Sequence, residues 1–161
     1  MKFSTHFLLA LLCFLVTGSA AEPLSVDTEV CVYAATPSGI LAAMAVKREG
    51  RSVVIVEPSR WVGGMLGAGL KPKQDCPNYA ATGGTTRELL KTLGHMSETE
   101  RDYGPKAIRE DFEKILDEHD IRVLFDHRIA RCEKKEGDIV AAAFDLAPFN
   151  ELGCPAPEPA K

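Results

Sequence analysis

EVCVYAATPSG, at residues 29–39, and SVVIVE, at residues 52–57, are the two stretches that decide the fold. Each contains a short apolar, β-branched run typical of a buried parallel strand, and strands are predicted at 29–34 and 52–57. Between them the sequence predicts a tight turn and then a helix over 39–49, which Gly50 ends. Strand, helix and strand within about thirty residues predict a βαβ unit.

Further along the chain, the pattern predicts two more helices and three more strands. The helices are expected at 85–93 and from Pro105 onward, and the strands at 121–125, 128–133 and 138–145, the last two joined by a turn at 134–137. The helix from Pro105 has apolar residues at helical spacing, which predicts a core-facing stripe of Ile108, Phe112, Ile115 and Leu116. Residues 59–84 are rich in glycine and show no periodicity.

The turn and the acid that ends the second strand favour dinucleotide binding. A helix N-terminus offers free N–H groups to a pyrophosphate, and Glu57, 18 residues past Gly39, lies near the ~20-residue offset of the acid that binds a ribose hydroxyl. In the G-x-G-x-x-G pattern the glycine places are Ala34, Thr36 and Gly39, so only the third glycine is present. Ala34 must therefore adopt a negative φ, or else a left-handed backbone that costs about 1–2 kcal/mol.

Composition excludes several classes of protein. The 161 residues carry 19 Lys and Arg against 23 Asp and Glu, and 45% are hydrophobic. These values are those of a globular chain rather than a disordered or fibrous one. The mild acidity argues against nucleic acid as a partner, since binding phosphates requires a basic face.

The N-terminus has the three-part pattern of a secretory signal peptide, predicted at 1–20. Lys2 precedes a short apolar run, and small residues follow it, so we expect cleavage after Ala20 or Ala21, export to the periplasm or medium, and no stable membrane span afterwards. The mature chain would keep four cysteines, Cys31, Cys76, Cys132 and Cys154. Their spacing matches no metal site and leaves the disulfide pairing open. Cys31, in an apolar strand, is interpreted as a buried small hydrophobe.

Three blocks resemble one known family. YAATPSGILAA at 33–43, VIVEP at 54–58 and GGMLGAGL at 63–70 are similar to the start of the FAD-dependent oxidoreductases of the FAD_oxidored type, relatives of the glutathione-reductase-like flavoproteins. The Gly-Gly-Met-Leu block after an acid-ended strand is the specific part, and the likeness continues through 123–145. The resemblance implies an α/β fold: a Rossmann-like FAD-binding domain with a parallel sheet over 21–145, incomplete, plus a small β-hairpin, followed by a Pro-rich extended tail at 146–161.

The resemblance also implies roles for individual residues. The turn would line the FAD pyrophosphate, Glu57 would hold the adenosine ribose, the glycine block would follow the cofactor toward the flavin, and Ile129 would lend backbone groups to the adenine. The implied cofactor-binding set is Ala35, Thr36, Pro37, Ser38, Gly39, Glu57, Gly63, Gly64, Met65 and Ile129. Glu57 as a solvated strand end, Gly63 and Gly64 as turn formers, and Ile129 as plain core are the alternatives.

The function implied is that of an exported FAD-dependent oxidoreductase whose flavin accepts a hydride from an organic substrate. No catalytic or metal-ligating set is evident, and Asp75 and Cys76 are the candidates for contacts to a small-molecule substrate. One alternative is a non-catalytic remnant that binds an adenine nucleotide weakly or not at all. Another is an NAD-linked dehydrogenase, which leaves the block at 63–70 unexplained. The family's longer architecture leads us to expect an N-terminal portion without a complete active site.

Overall fold

A computed structural model describes residues 24–69, 79–92 and 104–147 of the chain. Within them, a strand–helix–strand unit is followed by several helices, a third strand and a β-hairpin. The elements are β1 (Val30–Tyr33), α1 (Pro37–Arg48), β2 (Val53–Val56), α2 (Gly64–Gly67), a 3₁₀ turn (Tyr79–Ala81), α3 (Gly84–Thr92), α4 (Pro105–Glu118), β3 (Arg122–Leu124), β4 (His127–Lys135) and β5 (Asp138–Leu146). The α/β class is confirmed.

The first three strands form one parallel sheet in the order β1-β2-β3. β1 and β2 pair in register from Val30 opposite Val53 to Tyr33 opposite Val56, and the crossover between them is α1. The predicted βαβ unit is therefore confirmed. Parallel strands need such a crossover, because the end of one strand and the start of the next lie at opposite edges of the sheet.

The core lies where α1 and α4 contact this sheet. Ile40 of α1, Ile55 of β2 and Phe112 of α4 are fully buried in one cluster with Val62. All four residues of the stripe predicted on α4 are buried, as expected for a helix with one apolar side. The turn between β1 and α1 is thus positioned by elements that share one buried core.

β4 and β5 form a separate antiparallel pair. The loop between them is the dipeptide Glu136-Gly137, with φ of 55° and 100°. Positive φ at both central residues is the requirement of the type I′ hairpin turn, which matches the twist of the strands. The predicted turn at 134–137 is thus correct in place and two residues too long.

Other sequence predictions need correction. The helix α1 begins at Pro37, two residues earlier than predicted, because Thr36 caps it and proline suits the first turn. The glycine-rich region contains the short helix α2, which its lack of periodicity concealed. Cys31 is exposed rather than buried, since it points to the sheet face away from the core.

Other predictions fall outside the described residues. They are the signal peptide, the proline-rich tail from residue 148 onward, Asp75, Cys76 and Cys154. Leu146, where the tail is predicted to begin, is instead the last residue of β5. None of the helices described is long and apolar enough to cross a membrane. Among the described residues there is no group of three His, Cys, Asp or Glu side chains placed to hold a metal ion.

Candidate functional site

The turn between β1 and α1 is built around a left-handed residue and a helix cap. Ala34 has a φ of 85°, so the strained alternative expected for this position is the one found. Thr36 then returns to an extended conformation, and its hydroxyl accepts a hydrogen bond from the Gly39 N–H at 3.2 Å. This N-cap, with Pro37 in the first turn, fixes where α1 begins.

The N-terminus of α1 points out of this turn and carries the positive end of a twelve-residue helix dipole. Its first turn contains no acidic side chain. Ser38 is exposed there, with its hydroxyl 3.1 Å from the hydroxyl of Thr36. Two hydroxyl groups at a positive helix end are chemically suited to an anionic group such as a phosphate.

Gly39 permits a close approach of helix and strand. A Cβ on this residue would collide with the carbonyl oxygen of Ala34 and lie 3.3 Å from a methyl group of Val32. Gly39 is itself buried. The third glycine of the pattern therefore allows α1 to pack closely against β1.

Glu57 lies directly after β2 and is only 7% exposed. One of its carboxylate oxygens accepts a hydrogen bond from the Ala35 N–H at 2.6 Å, and the other accepts one from the Ser59 N–H at 2.8 Å. Its own N–H donates to the carbonyl of Leu124 in β3 at 2.8 Å. Glu57 is thus not a solvated strand end. Its carboxylate is fixed against the turn and keeps further lone pairs for hydroxyl donors.

The glycine block packs against the same turn. The Gly63 N–H donates to the Ala35 carbonyl at 2.7 Å. Gly63 and Gly64 have φ of 90° and 49°, and a Cβ on Gly64 would lie 3.2 Å from the methyl group of Thr36. Backbone conformation and close packing therefore both favour glycine at these two positions. The two glycines turn the chain, as the alternative held, and they also place its backbone beside the turn.

Ala35 is the point where these parts meet. Its N–H donates to Glu57 and its carbonyl accepts from Gly63, while the residue is fully buried. Three segments that are separate in sequence are thereby joined at one residue. Met65, in the first turn of α2, is 72% exposed and stands clear of this junction.

Ile129 lies on β4, away from the core. It is 42% exposed, so the alternative of plain core does not describe it. Its N–H donates to the hydroxyl of Tyr33 at 3.3 Å. Because Tyr33 directly precedes Ala34, this contact brings Ile129 next to the strand that leads into the turn.

One supporting residue has no sequence signal. Arg109 of α4 donates a hydrogen bond to the carbonyl of Gly67 at 2.8 Å and so holds the end of α2. An arginine beside an apolar stripe is ordinarily a surface residue, and its partner lies 42 residues away. Only the packed fold shows that the two meet.

The sequence also matches one protein family. Residues 29–148 match the family model of the FAD dependent oxidoreductases. No curated protein is similar in sequence to the chain.

Several solved structures are similar to the chain, and THI4 shares its fold. Thermovibrio ammonificans THI4 superposes with a TM-score of 0.50 at 16% identity, over 74% of this chain and 48% of that one. OTEMO in complex with FAD and NADP follows with a TM-score of 0.49 and 20% identity, over 76% and 24%. P. aeruginosa PqsL in complex with 2-aminobenzoylacetate gives 0.44 and 14%, over 73% and 39%. The chain thus spans about half the length of the THI4 structure.

Proposed function

The chain belongs to the FAD-dependent oxidoreductase family, whose cofactor is FAD, and from this premise we propose that it binds FAD across the junction at Ala35. The observation that carries the proposal is the pair of backbone hydrogen bonds at Ala35, whose N–H donates to Glu57 and whose carbonyl accepts from Gly63. It assembles an acid for a ribose, a helix N-terminus for a pyrophosphate and a glycine backbone in one place.

The adenosine ribose is assigned to Glu57. The carboxylate is buried and held by two backbone N–H groups. Little side-chain entropy is therefore lost when it accepts hydrogen bonds from a diol. A carboxylate accepts from both hydroxyls of an unsubstituted ribose, and it repels a 2′-phosphate. This favours FAD over a 2′-phosphorylated nucleotide at the site.

The pyrophosphate is assigned to the N-terminus of α1. Thr36 caps this helix, and Pro37, Ser38 and Gly39 lie in its first turn, where the helix dipole favours negative charge. Gly64 lies beside Thr36 without a Cβ, so a cofactor that passes here meets only backbone on that side. Because the family resemblance implies it, we assign the backbone groups of Ile129 to binding of the adenine.

A bound FAD would supply the redox chemistry of hydride acceptance. The described residues of this chain bind and orient the cofactor. Asp75 and Cys76 are the candidates for substrate contacts, and the substrate is a small organic molecule that donates a hydride. We also propose that the protein is exported after cleavage near Ala20.

Flavin binding tests the proposal directly. The mature chain is titrated with FAD while the visible spectrum and the melting temperature are recorded. We expect a flavin band that stays with the protein after gel filtration, and a Tm that rises with FAD concentration. A chain that stays colourless and shows no Tm shift would support the non-catalytic alternative. A shift with NADH and none with FAD would support the NAD-linked one.

A matched pair of variants locates the site. Glu57→Gln removes the charge from the ribose acceptor and leaves a buried N–H without a good acceptor, so FAD affinity is expected to fall about tenfold or more. Glu49→Gln makes the same change at the exposed far end of α1 and should leave affinity unchanged. Equal affinity in both variants contradicts the assignment of Glu57. N-terminal sequencing of the exported protein, expected to begin at residue 21 or 22, tests export.

A further inference from the structure

The two faces of the parallel sheet have different surroundings. Val32 and Ile55 point to the face that packs on α1 and the core. Side chains alternate along a strand, so Cys31 and Tyr33 of β1 point to the opposite face. Both are exposed, Tyr33 to 43%.

The β-hairpin contacts this second face through Tyr33. The ring of Tyr33 lies against that of Phe144 in β5, with centroids 6.2 Å apart and an interplanar angle of 34°. Its hydroxyl accepts a hydrogen bond from the Ile129 N–H of β4 at 3.3 Å. One aromatic side chain thus fastens both strands of the hairpin to β1.

Pairing within the hairpin puts Cys132 on the face that contacts Tyr33. Ile129 pairs with Phe144 and Cys132 with Ala142, with a bulge between the two pairs. Phe144 and Ala142 are two residues apart on β5 and therefore share a face. Cys132 lies on the same face as its partner Ala142, directed to the side where β1 lies.

Each of the two cysteines lies one step away from this contact. Cys31 is one two-residue step from Tyr33 along β1, and Cys132 is opposite the residue one two-residue step from Phe144 along β5. Each step is about 7 Å. Partial desolvation raises the pKa of the Cys31 thiol although its side chain is exposed, and the charge of Cys132 raises that pKa further. This effect of one thiol on the other agrees with the placement of Cys132 given by the strand pairing.

We propose that Cys31 and Cys132 form a disulfide bond that ties the hairpin to the outer face of β1. Both are free and exposed thiols in this structure, so an oxidant can reach them. The oxidant is a disulfide such as oxidised glutathione. The Cys132 thiolate attacks one of its sulfurs, one glutathione thiol leaves, and the Cys31 thiolate then displaces the second. Two cysteine protons pass to the two glutathione thiols, and one S–S bond forms as another breaks.

The bond would join parts of the fold that are far apart in sequence. About 100 residues separate the two cysteines, and the segment between them contains α1, β2, α4 and β3. Closing so long a loop removes much of the freedom of the unfolded chain, and it holds β4 in place even when the Tyr33 contact opens. An exported protein meets the oxidising surroundings in which such bonds persist.

Peptide mapping identifies the pairing. The reduced mature protein is incubated with oxidised glutathione, its remaining thiols are alkylated, and it is digested with trypsin. The four cysteines then fall in four different fragments. We expect the fragment that ends at Lys47 to be linked to the fragment 132–134. Alkylated Cys31 and Cys132 overturn the proposal, and so does a link from either one to Cys76, Cys154 or a second molecule.

Variants separate this bond from other effects of oxidation. Cys132→Ser should leave Cys31 fully alkylated and abolish the rise in Tm that oxidised glutathione produces in the parent protein. Cys76→Ser, the matched control, should keep both the linked fragment and the rise. If Cys76→Ser abolishes the rise and Cys132→Ser does not, the proposed pairing is wrong. None of these measurements requires FAD, so their outcome is independent of the proposed function.

Discussion

The carbonyl oxygen of Ala34 occupies the space that a Cβ on Gly39 would need. β1 and α1 can be this close only because residue 39 has no side chain. We therefore expect Gly39→Ala to force the strand and helix apart, at a cost of at least the ~1–3 kcal/mol typical of overpacking. Urea unfolding measures the loss. A free energy of unfolding equal to that of the parent would show that the two elements are not in contact at this point.

Ala34→Gly should act in the opposite direction. Ala34 has a φ of 85°, which costs an L-residue about 1–2 kcal/mol, whereas glycine adopts it without strain. The entropy that glycine loses on folding offsets about 0.5–1 kcal/mol of this. We expect a net gain of about 0.5–1 kcal/mol in unfolding free energy, and better retention of FAD on gel filtration.

The control for this change is Ala45→Gly, on an exposed position of α1. The same substitution in a helix interior is expected to destabilise by about 1 kcal/mol. Opposite signs at the two sites would establish that the left-handed backbone, and not the residue type, is responsible. Destabilisation at both sites would contradict the strain assigned to Ala34.

Gly63 is expected to tolerate no side chain. Its φ is 90°, and a Cβ would lie 2.7 Å from the ring of the fully buried Phe112. Gly63→Ala should therefore lower the unfolding free energy by about 2–5 kcal/mol, the sum of backbone strain and overpacking. Gly83→Ala is the matched control, since nothing lies within 4 Å of its Cβ position. It should change the free energy by less than about 0.5 kcal/mol.

Much of this fold could be predicted from local patterns. The apolar runs of β1 and β2, the stripe on α4 and the proline that begins it are short-range signals, and the structure confirms all of them. Glu57 could be placed beside the turn because two adjacent parallel strands end at the same edge of a sheet. Periodicity and spacing suffice where an element is set by its own residues.

Other features depend on contacts between distant residues. The exposure of Cys31 depends on which sheet face the core covers, and an isolated apolar strand does not show this. The contact of Tyr33 with Phe144 joins two strands 111 positions apart in the sequence. The sign of φ at Ala34 follows from the closeness of α1 rather than from any preference of alanine. The sequence therefore predicts the helices and strands better than it predicts how the hairpin contacts the parallel sheet.

The hydroxyl of Tyr33 should contribute modestly to stability. It accepts a hydrogen bond from Ile129 at a partly exposed site, and such a bond contributes about 0.5–1.5 kcal/mol. Tyr33→Phe keeps the ring against Phe144 and removes only the acceptor. We expect a loss within this range, with faster amide exchange at Ile129. Unchanged exchange at that amide would contradict the contact.

Glu29 is expected to make stability depend on pH at the start of the sheet. The Ser52 N–H, 2.9 Å from the carboxylate, and then the Arg51 guanidinium hold the pKa of Glu29 below its usual value, although partial burial opposes them. A lowered folded-state pKa gives stability that is fully present above the unfolded value of about 4.3 and is lost as pH falls through the folded pKa. Glu29→Gln should therefore flatten the fall of Tm below about pH 4.3, while Glu49→Gln should leave it unchanged. An equal acid dependence in Glu29→Gln and the parent would show that the tie between β1 and β2 does not depend on this charge.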